Sequence, residues 1–249
     1  MHRLAITKLG FQRDDRFLFR QLDCVVDESD ALQILGENGS GKTTLLRILV
    51  GLISPSEGDV SWSYNEDVAN LRHSLLYLGH ESGVKLALTA LENLNWYFAL
   101  HGSKSMKASL ADQNRSSVNH SPKITSEALS AALEWAGLKG YEHIVCYDMS
   151  AGQRRRVALA RLYLSQAPIW VLDEPFTAID VAGVKRLEAR MEEHRQNGGM
   201  IVFTTHQRSE LSNVRQLNVE TFKAEHHRLP EDLDETDDNY QNSYQRGNS

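Results

Sequence analysis

Apolar and polar positions first alternate at the amino end, where Leu4 and Ile6 share one face of a strand about the small Ala5, with polar Arg3 and Thr7 beside them. Asp14-Asp15 marks a turn and extended character resumes over 17–26, so residues 3–26 are predicted to form a hairpin. A short apolar run over 31–35 stops at Gly36. Leu45, Leu46 and Leu49 then recur with helical spacing over 42–50, and Gly51 terminates the helix. Residues 74–78, 169–172 and 200–204 read as buried strands. Strands interleaved with helical stretches predict an α/β fold whose mostly parallel sheet is covered by helices. Residues 89–100 and 126–136 are predicted helices of a small lobe, joined by a polar surface loop over 103–122 rich in Ser, Asn and Lys. No internal repeat is present.

Of the 249 residues, 41% are hydrophobic, enough for one sizeable core. The net charge of −6 is concentrated at the carboxyl end. Residues 229–249 hold Glu231, Asp232, Asp234, Glu235, Asp237 and Asp238 against the lone Arg246, a net −5 that leaves −1 for residues 1–228. Such a body offers no general attraction for nucleic acid, so no nucleic-acid partner is expected. The tail has too little apolar surface to offset its ordering entropy, and is expected to be disordered and dispensable for folding. Cys24 and Cys146, without a CxxC pair, exclude a disulfide framework and a cysteine zinc site. His226-His227 are adjacent rather than spaced at i, i+4 as paired helical metal ligands are, and no Cys-x-x-Cys-His haem attachment motif occurs. No apolar stretch approaches the roughly 18–20 residues of a membrane span, and the opening MHRLAITKLG lacks a signal peptide's apolar core. The chain is expected in the cytosol, reaching any membrane through a partner.

Gly36-Glu37-Asn38-Gly39-Ser40-Gly41-Lys42-Thr43 fits G-x-x-x-x-G-K-[ST], placed between an apolar strand and a helix that continues through Thr44. The glycines let successive N–H groups curl around a phosphate, and the helix N-terminus adds a favourable dipole. Lys42 would reach the β- and γ-phosphates of ATP while the Thr43 hydroxyl coordinates Mg²⁺. A second half-site lies at the end of the apolar run 169–172, where Asp173 would hold the metal through water and Glu174 would act as general base on the attacking water. Standing alone, either motif could be a ligand-free turn or a solvated strand cap; together they describe a nucleotide site.

Three further motifs carry a family resemblance. Met149-Ser150-Ala151-Gly152-Gln153 resembles the LSGGQ signature of ATP-binding-cassette (ABC) ATPases, Thr177-Ala178-Ile179-Asp180 its D-loop, and Thr205-His206 its switch histidine. All five elements stand in the family's order over roughly residues 3–220. The resemblance implies one RecA-like P-loop ABC domain over 1–228, with an N-terminal antiparallel β-subdomain and a helical signature lobe at about 86–165. It also implies that Ser150, Ala151, Gly152 and Gln153 cap the ATP held by a second copy of the chain, so that two copies close head to tail around two nucleotides. Glu174, His206 and Lys42 are then the catalytic set.

A narrower resemblance is carried by Tyr77-Leu-Gly-His80-Glu-Ser-Gly-Val-Lys85, by Leu88-Thr-Ala-Leu-Glu92-Asn-Leu, by the run from Ser150 to Arg161, by Asp173-Glu-Pro-Phe-Thr-Ala-Ile-Asp180 and by Thr204-Thr-His-Gln207. These resemble the CcmA family, the ATPase subunits of the haem-exporter complexes of bacterial cytochrome c maturation. The implied setting is the cytoplasmic face of the inner membrane, docked on CcmB and CcmC with the small CcmD, powering haem export or release of the haem-loaded periplasmic chaperone CcmE. The runner-up is the ATPase subunit of a different ABC exporter, since catalytic motifs do not name a cargo. An ABC ATPase acting on DNA or the ribosome fits less well: the 103–122 stretch is too short and polar for a coiled-coil insertion, and the chain carries one cassette. Two positions depart from the general ABC pattern. His80 replaces the glutamine before the helical lobe, and its imidazole is expected to bond water or phosphate rather than the metal, which prefers oxygen. The adenine-stacking aromatic falls at Arg13, whose guanidinium plane can also stack on a base, with Phe11 nearby. Arg154-Arg155-Arg156 is expected to be a solvated or salt-bridged helix face.

Overall fold

The computed structural model describes residues 2–64, 67–68, 74–101, 124–207 and 209–223. The predicted hairpin forms as β1 (His2–Arg13) and β2 (Arg16–Asp27), antiparallel, with Arg13 opposite Arg16 at the turn. β1 also pairs antiparallel with β4 (Glu57–Tyr64), which pairs with the short β5 (Asp67–Val68). The second sheet is parallel, in the order β6 (Leu75–Leu78), β7 (Ile169–Asp173), β8 (Met200–Thr204), β3 (Ala31–Leu35), β9 (Val214–Asn218).

Helix α1 (Lys42–Leu49) lies between the two sheets. Its Leu45, Leu46 and Leu49 pack with Leu4 and Ile6 of β1 and with Val171 and Val202 of the parallel sheet. Because strand side chains alternate, Trp170, Leu172, Ile201 and Phe203 point to the opposite face. There they meet Ala158, Leu159 and Leu162 of α4 (Ala151–Leu164) and Leu187 and Met191 of α5 (Val181–Gln196).

The lobe is built from α2 (Ala90–His101) and α3 (Ser126–Trp135), with Leu94, Leu129 and Leu133 packed on Val157 and Ala160 of α4. Helix α4 therefore buries one face in the sheet and another in the lobe, joining the two. No described helix is long and apolar enough to cross a membrane. The acidic tail, His226-His227 and the 103–122 stretch lie outside the described residues.

The elements read from the sequence begin and end within a residue or two of those observed, the usual scatter at frayed ends. Strands β4 and β9 and helix α5 carried no such reading. Helix α5 holds only Leu187 and Met191 as large buried apolar residues in a charge-rich segment, and β9 is a half-exposed edge strand of mixed composition.

Candidate functional site

Residues 36–41 turn the chain from β3 into α1. Gly36 and Gly41 adopt φ 145° and 104°. A Cβ on Gly36 would collide with Ser40 Oγ, and one on Gly41 would press on Leu18 and Phe19 at 3.3 Å. Both positions therefore need glycine for space as well as for dihedral angle. Lys42 Nζ donates to the carbonyl oxygens of Gly36 (2.7 Å) and Glu37 (3.0 Å), so the loop is wrapped around its ammonium. Helix α1 has no side-chain cap and no acidic residue in its first turn. Its leading N–H groups, together with half-buried Thr43 and Thr44, are thus directed at whatever anion the loop receives.

Beside residues 37–40 lies a cavity of about 220 Å³, lined by Arg16, Phe17, Leu18, Glu37, Asn38, Gly39, Ser40 and Lys223. Arg13 stands at the exposed β1–β2 turn, 3.8 Å from Asp14 Oδ2, and Phe11 packs against the core. The aromatic wall of the cavity is Phe17.

Asp173 ends β7 at 2% exposure, and Glu174 follows with φ 50°, a left-handed conformation unusual outside glycine. Thr204, at the end of the neighbouring β8, donates its hydroxyl to Asp173 Oδ1 (2.7 Å) and accepts the Glu174 N–H (2.9 Å). The His206 N–H donates to Glu174 Oε2 at 3.3 Å, and His206 Nε2 stands 3.6 Å from Oε1. Asp173 Oδ2 and Glu174 Oε1 are buried without a hydrogen-bond partner. Burying a carboxylate oxygen unpaired is costly, and such oxygens fit a hydrated hard cation and a nucleophilic water. With the Thr43 hydroxyl at the head of α1, which packs on β7 and β8, the donor set is all oxygen and fits Mg²⁺.

The signature forms its own unit with the D-loop. Ser150 caps α4 in a reciprocal box: its hydroxyl accepts the Gln153 N–H (3.2 Å), and Gln153 Oε1 accepts the Ser150 N–H (2.8 Å). A Cβ on Gly152 would sit 3.0 Å from the Ala178 carbonyl oxygen, so Gly152 lets the D-loop approach. Asp180 caps α5 by accepting the Gly183 N–H at 2.7 Å and faces Arg156 at 3.6 Å. Among the described residues, no hydrogen bond joins Ser150 or Gln153 to the 36–43 loop of the same chain.

The arginine run behaves as expected at Arg156 but not at Arg155, which is 6% exposed and donates to the carbonyl oxygens of Gly79, His80, Asp173 and Glu174. His80 itself is exposed. Sequence reasoning gave Thr204 and Arg155 no role. The signal for Arg155 was available: three successive helical residues point in three directions about 100° apart, so the run could not all face water.

Residues 19–177 match the ABC transporter family. The chain is 46% identical over 222 residues to a cytochrome c biogenesis ATP-binding export protein CcmA of Saccharophagus degradans, covering 86% of this chain and 92% of the relative. The CcmA of Escherichia coli O157:H7 is 42% identical over 230 residues, covering 90% and 100% respectively. Among solved structures, an ABC transporter ATP-binding protein from Pyrococcus furiosus superposes with TM-score 0.69 at 22% identity, covering 89% of this chain and all of that one. A dimeric post-hydrolysis state of the cassette MJ0796 bound to ADP and Pi gives 0.64 at 21%, covering 82% and 88%. A phosphate loop, a buried carboxylate pair and a capped signature helix on this fold, with identity of this order over 86–90% of the chain, place the chain among the ABC transporter ATPases, in the CcmA family of cytochrome c biogenesis ATP-binding export proteins.

Proposed function

We propose that this chain hydrolyses ATP as the peripheral subunit of an ABC complex of cytochrome c maturation, on the cytoplasmic face of the bacterial inner membrane. The membrane subunits would be counterparts of CcmB, CcmC and CcmD, and the work done would be haem export or release of haem-loaded CcmE. The observation that carries the ATPase half of this reading is Glu174, whose backbone N–H is held by the Thr204 hydroxyl while its carboxylate accepts the His206 N–H on one oxygen and keeps the other buried and unpaired. The cytochrome half rests on the similarity to CcmA relatives over 86–90% of the chain.

In this reading the 36–43 loop and Lys42 bind the β- and γ-phosphates, and Phe17 with Arg13 or Arg16 faces the base. Glu174 takes a proton from water as the water oxygen bonds to the γ-phosphorus and the bridging oxygen leaves with ADP. His206 orients Glu174 and the departing phosphate. Thr43 and Asp173 would hold Mg²⁺, which neutralises phosphate charge. Ser150 and the N-terminal amides of α4 cap the γ-phosphate bound by a second copy, with Asp180 at the junction, and His80 stands on the loop that faces the membrane subunits.

The test is a strain lacking the chain's gene, scored for covalent haem in c-type cytochromes, with membranes probed for subunits that co-purify with tagged protein. Loss of c-type cytochromes, restored by wild type but not by Glu174→Gln, supports the reading. Normal maturation in the deletion strain overturns it.

A further inference from the structure

Arg155 is a buried cation whose side-chain hydrogen bonds among the described residues all go to backbone carbonyls. Its guanidinium is forked across two strand ends: Nη1 donates to Gly79 O (2.7 Å) and His80 O (3.5 Å), Nη2 to Asp173 O (2.7 Å) and Glu174 O (3.0 Å). The register explains the fit. Leu78 of β6 pairs with Leu172 of β7, so the next two residues along each strand run on side by side at the strand ends, and one planar group takes all four carbonyls. Burial lowers the guanidinium pKa from its ordinary value, while the nearby Asp173 and Glu174 carboxylates and Tyr77 raise it.

This contact joins three parts that the chain keeps far apart. Arg155 belongs to α4, whose N-cap is Ser150 of the signature. Asp173 and Glu174 form the carboxylate pair, and Gly79-His80 opens the loop before the lobe. A second guanidinium on the same helix, Arg161, donates to Gly83 O at 3.1 Å while lying 4.4 Å from the Tyr97 ring centroid. The 79–83 segment is thus fastened to α4 at two points. Glu174 also needs outside support, because a non-glycine residue at φ 50° costs on the order of 1–3 kcal/mol and persists only where neighbours over-determine it. Thr204 holds the Glu174 N–H from one side. Arg155 holds the carbonyl of the same residue from the other.

We propose that Arg155 is a positioning residue for ATP hydrolysis: by pinning the Glu174 backbone and the His80 loop to the signature helix, it sets the direction of the Glu174 carboxylate and makes the three parts move together. The proposal rests on Glu174 as general base. Lysine cannot replace the fork, because an ammonium presents its donors from a single point. Misplacing a reacting group by about 1 Å can cost on the order of 100-fold in rate.

The experiment compares full-length wild type, Arg155→Lys, Arg155→Gln, Glu174→Gln and the doubles for melting temperature, ATP affinity, KM and kcat. Arg155→Lys is expected to lower kcat about 10–100-fold, with KM and ATP affinity within about threefold and melting nearly unchanged. Placed on Glu174→Gln, it should lower residual turnover no further, because the group it positions is already gone. Arg155→Gln, smaller and neutral, serves if the lysine variant does not fold. An equal fold-loss in both backgrounds, or a loss that follows melting temperature or KM, would assign Arg155 a merely structural role. Wild-type turnover by Glu174→Gln alone would instead remove the general-base reading on which the proposal stands.

Discussion

Thr204 gives its hydroxyl hydrogen to Asp173 Oδ1 across 2.7 Å while its oxygen receives the N–H of Glu174 at 2.9 Å. One side chain of β8 therefore fixes both carboxylate-bearing residues at the end of β7. Thr204→Val keeps the shape but leaves the half-buried Glu174 N–H and a buried Asp173 oxygen unpaired, the buried oxygen alone costing about 1–3 kcal/mol. We expect a lower urea midpoint and a fall of at least about tenfold in kcat, with Thr204→Ser recovering most of both. A valine variant as stable and active as wild type would show that the hydroxyl is idle.

Lys42→Ala removes the ammonium around which the loop is wrapped by the Gly36 and Glu37 carbonyls. Those carbonyls then lose their donor and the phosphates their cation. Hydrolysis should be abolished and ATP binding weakened, read by nucleotide titration and phosphate release. Ordinary turnover in this variant would exclude the loop as the ATP site.

Glu174→Gln removes the proton acceptor but preserves size, so the His206 and Thr204 backbone contacts can persist. Turnover should fall by about 10²–10⁴, the usual size of a general-base contribution, while ATP still binds. Binding without hydrolysis should accumulate a dimer of two copies closed around ATP. Size-exclusion chromatography with and without Mg-ATP checks this; a variant that binds ATP yet stays monomeric argues against the two-copy arrangement.

Much of the site was legible because its parts are local. The phosphate loop is eight consecutive residues with glycines where the backbone needs left-handed angles, and the carboxylate pair ends an apolar strand. What the sequence hid is contact between segments far apart in the chain. Thr204 meets Asp173 through 31 positions of separation, and Arg155 meets Gly79 through 76. Neither is a spacing that a linear pattern encodes. The cavity wall was hidden for a different reason: Arg13 and Phe17 flank a turn, and only the turn's geometry puts Phe17 among the residues that line the cavity beside 37–40.

His194 offers a pH dependence whose sign is fixed by its surroundings. Its ring, 7% exposed on α5, stacks on Trp170 of β7 with centroids 3.8 Å apart and planes 4° from parallel. Burial, reinforced by the positive charge of Arg190, holds its pKa down at about 4, and backbone hydrogen bonds with Met200 and Pro168 offset this only in part. An unfolded histidine takes up a proton near pH 6.5. As pH falls the unfolded state is therefore protonated first and becomes favoured. The stability tied to the neutral ring is fully present above about pH 6.5 and is lost progressively toward about pH 4, a change on the order of 3 kcal/mol. Replacing the ring by phenylalanine keeps the stack and removes the titration. Urea melts at several pH values between about 7.5 and 4.5 should show wild type losing roughly 2–3 kcal/mol more than His194→Phe across that interval, whatever the absolute stability of the variant. Parallel curves for the two proteins would mean that the imidazole is already reached by protons in the folded state.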